Sequence, residues 1–419
     1  MIAARAQSMA VARSSSVRAM ALVFLAAVTA ACSPDRIEVS DETVQAVHAQ
    51  ARPLDAHSDI LVSTTPEIYR TDDGVSQLTV DKLTGGGMAV QVLALQAATG
   101  PDTETGRVAA RSEITAKLAT VLAMIDAFPE QLGRARSVAD IEALNAEGRV
   151  AIVFGFQNAY VLGSDLSLLE SYIAAGVRIF GFNHAGNNAF SDSSRPSVPN
   201  DEWHGGLSEL GVAAVERLND AGVVIDVSQL TPNALMQVIA ASRAPVIASH
   251  SAVRAMIDET RNLLDSELDA IAAAGGAACI PPFNTYLAPR PAEFRQRLEE
   301  IRSEYGLPAT FRGVLDDSNL LEGAAGGEYM GRALAAVPRA TLEDYVDHID
   351  YVVQRVGVDH VCIGTDFDHG AGIIGYAHAG DAANLTRALL ERGYSADDVS
   401  AIWSGNVLRV MRAAEAVAR

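Results

Sequence analysis

From residue 54 onward, short apolar runs alternate with longer stretches of helical period. The strand-length runs are Leu54–His57, Met88–Leu95, Val150–Phe156, Val177–Phe182, Val223–Val227, Pro245–Ser249, Ala277–Pro281 and His360–Gly364. Helix starts between them carry recognisable caps. Ser137 to Asp140, Thr341 to Asp344 and Ser395 to Asp398 fit an acidic variant of the capping box. Thr231-Pro232 is a cap followed by proline at the first helical position. Gly148, Gly176, Gly222, Gly275 and Gly357 sit where helices must stop before the next strand. Near-continuous apolar strands call for parallel pairing covered by helices. Eight such units predict an α/β protein, a closed (β/α)8, TIM-like barrel. Leu287 to Ala340, rich in Arg and Glu and then in Gly and Ala, reads as a helical insertion (about 287–340) before the last strand, a lid or an interface near the mouth.

A barrel of this kind carries its chemistry at the C-terminal ends of its strands. Those ends hold His57 and Asp59, Gln96, Gln157, Asn183 and His184, Ser228 and Gln229, Ser249 and His250, Asn284, then Asp366 and Asp368. Residues i and i+2 of a strand point to one side, so His57 and Asp59 can converge, and neutral imidazole and carboxylate are ordinary zinc ligands. Asp366 lies just past the last strand, at the same rim. Asp368 suits a turn carboxylate. His348 and Arg409 lie on helix patterns and read as structural; His204, His360, His369 and His378 have no role beyond loop and rim placement.

Composition narrows the partners. The 419 residues are 49% hydrophobic, enough for a large core, with 52 acidic against 32 basic residues and a formal charge of −20. That balance, with no basic stripe, argues against nucleic acid or an anionic membrane surface. The first 31 residues read as a signal peptide: Arg5, Arg13 and Arg18 form a basic start, followed by an apolar run from Ala19 to Ala31. Thr29-Ala30-Ala31-Cys32 resembles a bacterial lipoprotein processing box with Thr29 where such boxes prefer Leu, so a lipid anchor at Cys32 and plain secretion both stand. Residues 32–45 then serve as a polar tether, and 46–419 form the barrel domain. Cys279 and Cys362, inside apolar strands, read as buried free thiols.

The motifs in combination resemble the membrane (renal) dipeptidases, metal-dependent hydrolases of the amidohydrolase-like barrel type. The residues that carry the resemblance are Asp55-x-His57-x-Asp59, Gly176-Val-Arg178 through Asn188 with His184, and Gly206-Leu-Ser-x-x-Gly211. Further on come Ala244-Pro-Val-Ile-Ala-Ser-His250-Ser, Arg261-Asn262-Leu, His348-Ile, Ile363-Gly-Thr-Asp366-Phe-Asp368 and Gly405-Asn406-x-x-Arg409. The resemblance implies two zinc ions: one held by His57, Asp59 and a bridging Glu, the other by that Glu and two His, of which His250 is one. It further implies that Asp366 handles the proton of the attacking water while His184 and Arg261 hold the substrate.

The chain departs from this pattern twice, with Gln157 at the bridging Glu position and Gln229 at the first His of the second site. A neutral amide cannot bridge two dications and is a poor zinc ligand. His57, Asp59 and Asp366 still make three ligands with an open position, enough for one zinc. Gln157 and Gln229 are expected to bond each other or a water in place of the missing ion. The resulting expectation is a metallodipeptidase with one zinc per chain that hydrolyses the amide bond of a small dipeptide-like substrate through a metal-activated water. The resemblance implies tolerance of a D-residue and a homodimer. Two alternatives stand beside it: a mononuclear amidohydrolase acting on another amide, lactone or ester, and a catalytically inactive envelope binding protein.

Overall fold

The computed structural model describes residues 37–419 except 66–68, 72–73, 197–200, 309–313, 319 and 322. The residues read as a signal peptide, and Cys32, lie outside the described residues. All eight anticipated strands form: β1 (Leu54–Ser58), β2 (Val90–Gln96), β4 (Val150–Gln157), β5 (Val177–Gly181), β6 (Val224–Asp226), β7 (Ile247–Ala248), β8 (Ala277–Ile280) and β9 (Val361–Ile363). They pair in parallel in the order β1-β2-β4-β5-β6-β7-β8-β9. A parallel bridge from Ser58 to Phe367 closes the ring, which makes the architecture the predicted (β/α)8 barrel.

One strand was not anticipated. β3 (Leu132–Ala135) has too few apolar residues to announce itself, and it pairs with Val150–Val153 of β4. From Phe154 on, β5 takes over in the ladder with β4, while β2 runs along β4 from Ala151 to Gln157. The extra strand therefore flanks the barrel without entering its ring.

Strand alternation divides the core in two. Leu54, Val90, Val153, Ile179, Val224, Ile247, Ala277 and Cys362 belong to one buried cluster, together with Val407, Val410 and Met411 of the C-terminal helix Asn406–Ala416. The intervening positions, such as Ile152, Phe180, Ile225 and Ile363, pack outward among the covering helices. Continuing the inner series by twos brings Gln96, Gln157, Asp226 and Ser249 to one end of the barrel.

The seam between first and last strands is held by a buried carboxylate. Asp55 accepts from the Thr365 backbone N–H at 2.7 Å, Thr365 Oγ1 at 2.6 Å, Ser58 Oγ at 2.5 Å and Gln91 Nε2 at 2.7 Å. The backbone adds Asp366 N–H to His57 O and Asp59 N–H to Phe367 O, both at 2.8 Å. Gly364 is required beside this seam, because a Cβ there would run into the Ser249 carbonyl.

The caps behave as their residue types require. Thr341 and Ser395 form complete capping boxes with Asp344 and Asp398, Ser137 accepts from Asp140 N–H, and Thr231 accepts from Ala234 N–H. Gly275, at φ +75°, turns the chain in the left-handed region open to glycine.

Two expectations need correction. Cys279 and Cys362 are not free thiols: they form a disulfide. They stand opposite each other in the β8–β9 register and on the same inner face, which spacing in the chain could not reveal. The tether read as residues 32–45 also stops short, since Asp41–Ala51 is a helix capped by Ser40. Between β8 and β9 lie the helices Asn284–Leu287, Ala292–Glu304, Val314–Ser318, Ala324–Ala336 and Leu342–Val356. Among the described residues, no helix is long and apolar enough to cross a membrane.

Candidate metal centre

His57, at the end of β1, is buried, and its Nε2 has no hydrogen-bond partner among the described residues. Asp366 Oδ1 lies 4.0 Å from that nitrogen. His57, Asp59 and Asp366 each offer a ligand atom within 4.8 Å of the others. A buried imidazole nitrogen without a partner, faced by two carboxylates, is what one metal ion would satisfy. Burial pushes the His57 imidazole down to about 4, with Asp59 and Asp226 offsetting part of that, so the ring is neutral and able to ligate at neutral pH. Burial likewise raises Asp366 to about 7.

Backbone strain gathers at the same rim. Among the described residues five non-glycine positions take positive φ, and four of them, Asn158, Gln229, Asp366 and Asp368, follow barrel strands. Such conformations cost on the order of 1–3 kcal/mol each and persist where the surroundings over-determine them.

At the neighbouring rim position the polar groups are already bonded to one another. His250, just past β7, shares its Nδ1 with Ser249 Oγ at 2.6 Å, and that hydroxyl donates to Asp226 Oδ2 at 2.6 Å. Because the hydroxyl has one proton, His250 carries its own on Nδ1, and Nε2 accepts from Gln157 Nε2 at 3.2 Å. Both ring nitrogens are thereby committed, so His250 does not join the His57–Asp59–Asp366 group. An alternative grouping of His57, Asp226 and His250 also has ligand atoms close together. There Asp226 is already taken by Ser249 Oγ and by the N–H groups of Ser228 and Ser249, each at 2.9 Å. Gln157 bonds His250 rather than the expected Gln229, whose Oε1 has no partner among the described residues.

Three contributors escaped the sequence reading. Lys117 Nζ lies 3.3 Å from Asp59 Oδ1, and His369 Nδ1 lies 2.9 Å from Asp59 Oδ2. Burial alone would raise the Asp59 carboxyl, but Lys117 and His369 outweigh it and hold the group well below the usual carboxylate range. His369, read as having no role, also stacks on Tyr69 with ring centroids 4.2 Å apart. Burial lowers its imidazole, yet Asp59 and Asp366 prevail and raise it. Lys117 had one visible signal, a charge in step with Ile114 and Val121 on an apolar helix face. Asp226, the third, ends β6 in the inner series.

His184 and Arg261 flank this group. The His184 ring stands edge-on to His369 at 5.3 Å, and its buried Nδ1 has no partner among the described residues. Arg261 is buried rather than engaged in a surface ion pair. Its Nη1 donates to Ser251 Oγ at 2.9 Å and its Nη2 to the His250 carbonyl at 2.8 Å, with the guanidinium over Tyr286. Asp368 accepts from Ser76 Oγ at 2.5 Å and Gln77 N–H at 2.8 Å, so it braces the loop after β1 as a turn carboxylate would. His348 accepts from the Val253 N–H and Arg409 donates to the carbonyls of Gly275 and Asp359, both structural contacts.

Comparison with known proteins places the chain in a family. Dipeptidase aclJ of Aspergillus oryzae is 30% identical over 301 residues, 71% of this chain and 60% of that protein. Human dipeptidase 3 is 27% identical over 283 residues, 67% of this chain and 48% of that protein. The chain thus spans about half to three-fifths of the length of these relatives. The crystal structure of the probable dipeptidase PvdM from Pseudomonas aeruginosa superposes with a TM-score of 0.82 at 37% identity, covering 90% of this chain and 98% of that one. A metallo peptidase from Rhodobacter sphaeroides, liganded with a phosphinate mimic of the dipeptide L-Ala-D-Ala, shares the fold at TM-score 0.66 and 22% identity, covering 86% and 99%. The family model described as membrane dipeptidase (peptidase family M19) matches residues 41–419. The chain belongs to the membrane dipeptidase family.

Proposed function

We propose that this protein is an exported metallodipeptidase that uses one zinc ion to hydrolyse the amide bond of a dipeptide-like substrate. The observation that carries this reading is the buried His57 Nε2, unpartnered among the described residues and faced by Asp366 within a group completed by Asp59. His57, Asp59 and Asp366 would hold the ion, which when bound supplies Lewis acidity to the scissile carbonyl and to water. Asp366 accepts the proton of the attacking water and returns it to the leaving amine. His184, edge-on to His369 with its Nδ1 unpartnered among the described residues, steadies the charge that develops on the carbonyl oxygen. Arg261, already oriented by Ser251, His250 and Tyr286, receives the substrate's terminal carboxylate. Export, with or without a lipid on Cys32, is part of the same proposal and rests on the N-terminal pattern alone.

The test is metal analysis of the purified full chain beside hydrolysis of a panel of L,L and L,D dipeptides. About one zinc per chain with cleavage of at least one dipeptide is expected. Cleavage of lactones or other amides with dipeptides left intact would point to the amidohydrolase alternative. A sample that stays metal-free in excess zinc and cleaves nothing would leave the envelope binding protein.

A further inference from the structure

The helix Glu104–Ala127 buries Ala110, Ile114 and Val121 against the barrel. Lys117 shares that face, three residues after Ile114 and four before Val121, and its side chain is only 5% exposed. A lysine is found this deep only when its charge is met. Its ammonium donates to Asp59 Oδ1 at 3.3 Å and to Gln96 Oε1 at 3.1 Å, and lies 3.6 Å from the partly exposed Glu113. His369 Nδ1 holds the other Asp59 oxygen at 2.9 Å. Both oxygens of this candidate ligand therefore already face protein groups.

An ammonium and a divalent ion beside one carboxylate repel each other. We propose that Lys117 is a built-in cation that keeps Asp59 in place without metal and weakens metal binding at the barrel mouth. The proposal deepens the one-ion reading and rests on it for the identity of the site. With Gln157 and Gln229 neutral, Asp59 and Asp366 are the carboxylates of the ligand group, and the ammonium offsets one of them. The remaining charge suits a single divalent ion at most, bound in competition with Lys117. The rim then holds its shape when zinc is scarce, and its occupancy follows the free zinc concentration.

Zinc titration of the chelator-stripped full chain tests this, read by competition with a chromophoric chelator and by thermal melting. Lys117→Met and Lys117→Gln are expected to bind zinc at least ~10-fold more tightly than the natural chain, because a like charge is gone. Both should melt lower without zinc and gain more from its addition. Lys117→Arg, which keeps the charge, should bind no more tightly than the natural chain. Lys117→Gln retains an N–H donor for Asp59 and covers the case in which Lys117→Met does not fold. Equal or weaker zinc binding by a folded neutral variant overturns the proposal and leaves the one-ion reading standing if the natural chain binds one ion. A natural chain that binds no zinc beside a Lys117→Gln variant that binds one supports the proposal and overturns the one-ion reading. The natural chain stripped of metal should keep its melting transition, and unfolding on chelation overturns the proposal.

Discussion

The imidazoles of His57 and His250 stack face to face, with centroids 3.7 Å apart and planes 13° apart. His57 lies at the end of β1 and His250 just past β7, and burial lowers the pKa of both, so two neutral rings share one packing contact. Their Nε2 atoms have different fates. That of His57 is unpartnered among the described residues, while that of His250 is bound by Gln157. The stack thus sets an imidazole nitrogen that is unpartnered among the described residues beside one bonded to an amide.

Restoring the second position should therefore need both glutamines. Gln157→Glu replaces the amide beside His250 with a carboxylate, and Gln229→His adds an imidazole where a buried amide oxygen now has no partner among the described residues. The double variant is expected to raise bound zinc toward two ions per chain, measured by mass spectrometry of the purified protein. Unchanged stoichiometry would mean that these side chains do not face a common ion.

Arg261→Lys should act mainly on substrate binding. The lysine keeps the charge but loses the planar fork that Ser251 and the His250 carbonyl orient. A loss of about 2 kcal/mol, or roughly 30-fold in kcat/KM carried mostly by KM, is expected for carboxylate-bearing dipeptides. A C-terminally amidated dipeptide should be cleaved about equally by both proteins. A fall in kcat with KM unchanged would remove Arg261 from substrate binding.

Glu267 gives a pH signature away from the candidate ligands. Burial raises its carboxyl from 4.5 to about 7, although it accepts from the Leu264 N–H at 2.6 Å. A raised carboxyl binds its proton more tightly when folded, so its contribution is full below about pH 4.5 and is lost as pH rises toward 7. Glu267→Gln should be more stable than the natural chain at pH 8 by up to about 3 kcal/mol and nearly equal to it at pH 4. Denaturant melts at the two pH values check this, and parallel pH profiles for the two proteins would refute it.

The cross-strand disulfide should matter for stability more than for chemistry. Cys279 and Cys362 are 83 residues apart in the chain, and disulfides typically stabilise a fold by about 2–4 kcal/mol, more for longer loops. Cys279→Ala with Cys362→Ala, or a reducing agent, should lower the denaturant midpoint while zinc content stays the same. No shift in midpoint between oxidised and reduced protein would show that the bond contributes nothing.

Much of the rim was legible because strand alternation and barrel polarity are local rules. His57, Asp59, His184, His250 and Asp366 could be read from strand ends and Arg261 from the family resemblance, and all six are buried near the barrel mouth. Lys117 was hidden because it sits mid-helix, where a lysine ordinarily faces water. His369 was hidden because a histidine three residues past Asp366 can turn toward the mouth or away from it. β3 was missed because Leu-Gly-Arg-Ala has no apolar run, and its pairing depends on the free edge of β4.

By itself, the sequence determined the order of strands and helices and the end of the barrel that carries polar groups. These follow from side-chain period, capping chemistry and residue identity, which act over a few residues. Only the tertiary structure decided which groups meet. The β8–β9 register joined the two cysteines, packing of Glu104–Ala127 brought an ammonium to Asp59, and the Asp226–Ser249–His250 chain fixed the tautomer that turns Nε2 toward Gln157. Each depends on a contact between segments distant in the chain, where distance and orientation, rather than residue type, set the interaction.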